Sequence, residues 1–462
     1  MQERSRQLTG ALTAELAKSP TINGHSHVIP ETERLERDLD ALAYFGHPYP
    51  ASDLLSAGMS TADLAFVTGV EGSLTGRADG GTGAKGTTDG AMPTMEERWA
   101  RFAPYWRRIR LTGFSQCLLE GWRATFGMGA LTAETVEPLS EAIRAARQPG
   151  HYAKVLAGQA KVAVSLVQME DLVEVDRALF LPMPRLNRFT MLRSREHVES
   201  IERDYGVALR TVDDLVGAMH AACAAWREAG APAVKLSQSY HRRMDFTKRR
   251  AADAARVFKT LREGGYAGLN SDDGRVLEDF LVFAAVRAVT EAGMVIQFHV
   301  GPRAGTYGSL EGASLAPMIE LIRANREARF DISHSGFPYL REAAVLAKTC
   351  ANVYLNMSWI QIYSPEGCVQ ALREWLRMVP WNKIVGFGDD LYWVDTIHGH
   401  LLMARQNVAT ALASLVEEGL LDEREAADVG RGLFFENPAS LYRLEHLAGN
   451  GAANRGPSGE AR

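Results

Sequence analysis

Short apolar runs that end in a polar residue or a glycine recur along most of this chain. Thr21–Val28, Val162–Gln168, Phe189–Leu192, Ala233–Ser237, Met294–Val300, Phe330–His334, Val353–Met357 and Lys383–Asp389 read as strands. Between the later runs, apolar residues recur at spacings of three and four. This predicts helices over Val212–Glu228, Gly274–Glu291, Leu315–Asn325 and Pro338–Thr349. Strands alternating with helices imply βαβ units and a parallel sheet. Eight strands in this pattern close a (β/α)8 TIM-like barrel of the α/β class.

The rhythm breaks between the first two strands. Glu96 to Arg147 reads as helix, with Trp99, Phe102, Tyr105 and Trp106 on one stripe and Leu118, Leu119 and Trp122 continuing it. Residues 72–93 have no apolar period and are rich in Gly, Thr and Asp, which predicts a flexible loop or lid. Their GTGAKGTT fragment is not a phosphate-binding loop. Lys85 stands between Ala84 and Gly86, where that motif requires Gly-Lys-Ser/Thr, and no strand feeds it. The expected organisation is one elaborated barrel over residues 1–448, with a helical insertion over about 30–150 and a disordered tail over 449–462.

Composition narrows the class without naming a reaction. The 462 residues are 46% hydrophobic and 23% charged, as in ordinary globular proteins. A net charge of −5 with no basic block argues against nucleic acid or a membrane surface as partner. The first twenty residues lack a signal-peptide core, and the longest apolar stretch, Phe280 to Thr290, is short and holds Arg287. Cys117, Cys223, Cys350 and Cys368 form no pair spaced for zinc or redox chemistry, so the reading is cytoplasmic. The expected partner is a small-molecule substrate, and assembly into a homo-oligomer is left open.

In such a barrel the chemistry sits at the C-terminal strand ends. The first strand ends in His25-Ser-His27, and residues two apart share a face, so both imidazoles enter the mouth together and can hold one divalent ion. The fifth and sixth strands end in His299 and His334, each followed within two residues by glycine. The eighth ends in Asp389-Asp390. Alternation puts Gly386, Gly388 and Asp390 on one face and Val385, Phe387 and Asp389 on the other. With the bulky pair outward, Asp390 is aimed at the ion; a bulge would substitute Asp389. Lys235 lies inside the apolar fourth strand, where a lysine is costly unless paired. It is either carbamylated between two metals or an ammonium facing the substrate. His241 and Arg242 beyond it, and Arg303 beyond His299, are candidates for binding an anionic substrate.

Together these residues resemble the amidohydrolase superfamily from Ile22 to about Tyr442. Ser333–Tyr339, Asn352–Trp359 and Lys383–Asp390 resemble its amidohydrolase-2 branch, which is similar to uronate isomerases. Related chains commonly end the eighth strand in Gly-Gly-Asp, where this one has Gly388-Asp389-Asp390. The resemblance implies that His25, His27 and Asp390 are metal ligands, that His299 is a further ligand or hydrogen-bond partner, and that His334 orients the substrate. It implies one ion rather than two, and leaves the state of Lys235 open.

The function expected from this is hydrolysis of an amide, ester or lactone. Zn²⁺, or Mn²⁺ in its place, would lower the pKa of bound water to about 7. Asp390 would act as general base, and His334 and Lys235 would stabilise the oxyanion. Two rivals stand beside it. One keeps the site and isomerises a uronate or decarboxylates an acid; the other is a barrel that binds a ligand without catalysis.

Overall fold

The computed structural model describes residues 2–69, 93–170 and 175–450. Eight parallel strands appear in chain order: β1 (Thr21–Ser26), β2 (Val162–Met169), β3 (Phe180–Pro184), β4 (Ala233–Leu236), β5 (Val295–His299), β6 (Phe330–Ser333), β7 (Val353–Asn356) and β8 (Ile384–Val385). They form two ladders, β1-β2-β3 and β4-β5-β6-β7-β8. Backbone bonds cross both seams. Leu186 N–H donates to Lys235 O at 3.0 Å, Gly24 N–H to Phe387 O at 3.0 Å, and Asp390 N–H to His25 O at 3.2 Å.

The interior is apolar at its base. Ile22, Val164, Leu166, Met183, Ala233, Val295 and Val385 meet there, closed off by Leu441 and Tyr442 from the C-terminal segment. One period further along the strands the inward residues become polar: Lys235, Gln297 and Asp331 are adjacent on β4, β5 and β6 and fully buried. The next inward position brings His299 to the mouth, because residues two apart share a face.

The third strand is not where the apolar pattern predicts it. Phe189 and Thr190 lie in a helical turn (Asn187–Thr190), and the strand is Phe-Leu-Pro-Met-Pro at 180–184. Its prolines are tolerated because β3 meets β4 through a single bridge, Arg185 with Lys235, so few donors are needed on that side.

The long helical reading between β1 and β2 resolves into separate helices, Met95–Ile109, Gly113–Phe126 and Val136–Ala145, preceded by shorter ones over Glu31–Glu36, Pro48–Ser56 and Thr61–Thr68. A capping box of Thr94 with Glu97 starts the first of the long helices. The insertion has its own apolar core, including Phe45, Phe102, Trp122 and Leu139, which Trp393 joins from the segment after β8. It is seated by Gly121 against the helix Val394–Glu417. A Cβ at Gly121 would fall 2.2 Å from Asp395 O, and one at Gly399 would fall 2.1 Å from Cys117 O. The predicted loop over 72–93 falls outside the described residues except for Pro93, and so does the predicted tail beyond Asn450.

Candidate metal centre

The ends of β1 and β8 bring three donors together. Nε2 of His25 and Nε2 of His27 each lie 2.9 Å from the same oxygen, Oδ1 of Asp390. One ligand atom from each residue lies within 4.8 Å of the others. Asp390 arrives by a route other than simple alternation. Val385 is inside the barrel, and Gly386 faces outward against Leu433. Regular strand ends at Val385, and Asp390 reaches the mouth through a left-handed backbone, φ +56°. Asp389 turns away. Its carboxyl takes hydrogen bonds from Asn23 and the Leu391 N–H, and burial raises its pKa to about 8.

The chemistry of this donor set fits a divalent ion. Nδ1 of His25 is 2.7 Å from Oε1 of Gln297, an acceptor, so that nitrogen carries the proton. Nε2 then turns a lone pair toward Asp390 Oδ1, acceptor against acceptor, which is favourable only around a shared cation. Burial and the nearby Lys235 hold the His25 imidazole neutral, its pKa well below the usual value. Burial would raise Asp390, but the adjacent His25 and His27 outweigh it and hold its carboxyl well below the usual range.

Around the triad stands an aromatic wall that the strand pattern did not reveal. The Tyr49 hydroxyl, from the insertion, donates to Asp390 Oδ2. Burial and the Asp390 charge raise that phenol well above its usual range, so it stays protonated. The Trp359 ring lies 5.1 Å from Tyr49 and 5.4 Å from His334. Tyr240 and Tyr392 both have phenols raised by burial and then by Asp390. Buried Arg185, which donates to Glu170 at 2.6 Å, adds a cation beside them. No strand-end signal marks Tyr49, which lies 341 residues from its partner. Gln297 did carry a signal, as a polar residue within an apolar strand.

The other predicted residues fall into three places. His299 is outside the triad: its Nδ1 lies 3.0 Å from His334 Nε2, and its Nε2 donates to Pro302 O. His334 Nδ1 lies 3.1 Å from Ser358 O, so the two facing nitrogens attract only when one carries a proton. Lys235 lies beneath the triad, its ammonium donating to Gln297 Oε1 at 3.0 Å, and burial lowers it to about 7. Arg303 stands over the Tyr240 ring at 5.6 Å, and that ring is 4.6 Å from the ring of His299. His241 and Arg242 do not face the triad. His241 pairs with Glu278, and Arg242 with Glu278 and Asp279, all within the wall behind β4. Carboxylates on the helix Asp272–Glu291 engage both side chains, whereas the sequence reading offered them to an anionic substrate.

Positive φ values gather at this mouth. His334 (+65°), Ser335 (+47°), Trp359 (+66°) and Asp390 (+56°) all adopt backbone that non-glycine residues seldom occupy. A cavity of about 380 Å³ opens beside His27, with Met169, Leu179 and Phe180 among its apolar walls and Glu31 and Asp176 at its polar side.

Comparison with known proteins agrees with this architecture. A family model described as Amidohydrolase matches residues 187–444, more than half of the chain. A uronate isomerase of Rhizorhabdus wittichii is 26% identical over 249 residues, covering 50% of this chain and 52% of that protein. The chain thus spans about half the length of the curated relatives it matches. Among solved structures, the glucuronate isomerase of Caulobacter crescentus superposes with a TM-score of 0.77 at 18% identity, over 96% of this chain and 95% of the other. The uronate isomerase of Thermotoga maritima gives 0.75 at 16% identity, over 94% and 97%. At these identities the structures establish the fold, a TIM barrel with parallel strands. Among the described residues no helix is long and apolar enough to cross a membrane.

Proposed function

The chain belongs to the amidohydrolase family, and from that premise we propose that it is a metal-dependent isomerase of a uronic acid or a closely similar hydroxy-aldehyde acid. The observation that carries the reading is the Tyr49–Asp390 pair, a protonated phenol bonded to an ionised, buried carboxylate. Moving a hydrogen between adjacent carbons needs a base for the C–H proton and a donor that passes a proton between the two oxygens. No water is consumed. Asp390 is the base and Tyr49 the donor. The names of the relatives support isomerisation over the hydrolysis expected from the strand ends alone.

His25, His27 and Asp390 would hold one Zn²⁺ or Mn²⁺, which when bound supplies Lewis-acid polarisation of a substrate oxygen. His334 donates to or orients the substrate, and Arg303, at the mouth over Tyr240, meets its carboxylate. The aromatic wall of Tyr49, Trp359 and Tyr392 excludes water from the base.

The test is incubation of metal-loaded protein with D-glucuronate and D-galacturonate in D₂O, followed by NMR. The expected result is a keto acid with deuterium next to the new carbonyl. A panel of uronates left unchanged, together with ¹⁸O transfer from water into the product of an ester or lactone, would overturn the reading in favour of hydrolysis.

A further inference from the structure

Beneath the triad, the interior rung Lys235–Gln297–Asp331 is fully buried. Its central member makes hydrogen bonds of opposite kinds at its two ends. Oε1 of Gln297 accepts from Lys235 Nζ at 3.0 Å and lies 2.7 Å from His25 Nδ1. Nε2 donates to Gly24 O at 2.9 Å and to Asp331 Oδ2 at 2.6 Å. Asp331 Oδ2 is itself held by Asn356 Nδ2 at 3.2 Å and by the Tyr442 hydroxyl.

This pattern leaves the amide one orientation. Turned over, its NH₂ would face the lysine ammonium and its oxygen would face a carbonyl and a carboxylate. A neutral imidazole carries its proton on either nitrogen, and the partner of one nitrogen decides which. With Oε1 fixed as an acceptor, the proton of His25 is drawn to Nδ1, and Nε2 keeps the lone pair that a metal needs.

We propose that Gln297 is a positioning residue which, oriented by Lys235 and Asp331, fixes the tautomer of His25 and thereby the affinity of the centre for its divalent ion. The inference rests on reading His25, His27 and Asp390 as ligands and is independent of which reaction the centre performs. Only an amide serves at this position, because it accepts at one end and donates at the other. A hydrocarbon side chain does neither, and a carboxylate would set a second anion against Asp331 and Gly24 O.

The experiment measures Zn²⁺ affinity of the full chain by competition with a chromophoric chelator, and reads the His25 ring nitrogens of metal-free protein by ¹⁵N NMR. Gln297→Met is expected to bind Zn²⁺ about 10–100-fold more weakly, with the His25 proton moving toward Nε2 and Asp390. Gln297→Glu is expected to lose affinity by a similar factor. Adding Asp331→Asn to it restores a donor opposite the new carboxylate and is expected to recover affinity to within a few-fold. Wild-type affinity in Gln297→Met, with the proton still on Nδ1, overturns the proposal. Should that variant not fold, undiminished affinity in Gln297→Glu, or no recovery in the double variant, overturns it. Wild-type protein that takes up no Zn²⁺ overturns the ligand reading itself, a result distinct from failure of the Gln297 variants alone.

Discussion

The hydroxyl of Tyr49 donates to the carboxylate of Asp390, so a helix of the insertion completes a centre otherwise built from strand ends. The insertion therefore supplies a residue of the candidate centre and is not only a cover for it. Tyr49→Phe keeps the ring contacts with Phe114 and Trp359 and removes the donor. It is expected to lower kcat by about 100-fold or more while leaving bound metal unchanged. Steady-state kinetics with metal analysis of the same sample checks both.

The two aspartates at the end of β8 should separate cleanly. Asp390→Asn is expected to lose metal, as is the His25→Ala, His27→Ala double variant. Asp389→Asn should retain about one ion per chain, because that carboxyl, pushed to about 8, is already largely protonated at neutral pH. Chelation should abolish wild-type activity, and Zn²⁺ or Mn²⁺ should restore it. Metal-to-protein ratios by elemental analysis decide the matter.

Buried neutral histidines outside the centre predict acid sensitivity. Burial lowers His398 to about 4 and His400 to about 3. Between those values and the usual 6.5, the unfolded chain binds more protons than the folded one, so stability falls as pH drops through that window. The urea midpoint is expected to decline from pH 7.5 to pH 4.5. The decline should be shallower in a His398→Gln, His400→Gln variant, whatever that variant's midpoint at pH 7.5.

Two arginines that look alike in sequence should behave differently. Arg242→Met takes one partner from Glu278, which keeps His241, and one from Asp279, which keeps Arg249, and is expected to cost about 1–3 kcal/mol of stability, with KM little changed. Arg303→Met, altering a residue of the mouth, is expected to raise KM for a carboxylate substrate with Tm nearly unchanged. Thermal denaturation beside kinetics distinguishes them.

Much of the barrel is legible in the sequence because most of its strands are short apolar runs bounded by turns. The third escapes because Pro182 and Pro184 disguise it, while Phe-Thr-Met-Leu at 189–192 has strand-like composition but coils into a turn. The triad is legible because His25, His27 and Asp390, of two residue types with metal affinity, stand at the ends of the first and last predicted strands. Tyr49, Tyr240, Tyr392 and Arg185 are not, since their roles come from loops and an insertion that only the closed fold brings together. Nor can charge alone show that Arg242 is spent on the helix Asp272–Glu291, whereas the alternation that put Asp390 at the mouth fails at Gly386.

The left-handed backbone at His334, Ser335, Trp359 and Asp390 carries a consequence for the history of the protein. Each such residue costs about 1–3 kcal/mol relative to relaxed backbone, and glycine at the same positions would relieve it. A descendant selected for thermal stability alone would gain nothing by glycine there, because the buried side chains of His334 and Trp359 would be lost together with the strain. Strain and packing at this mouth are therefore kept or lost as one.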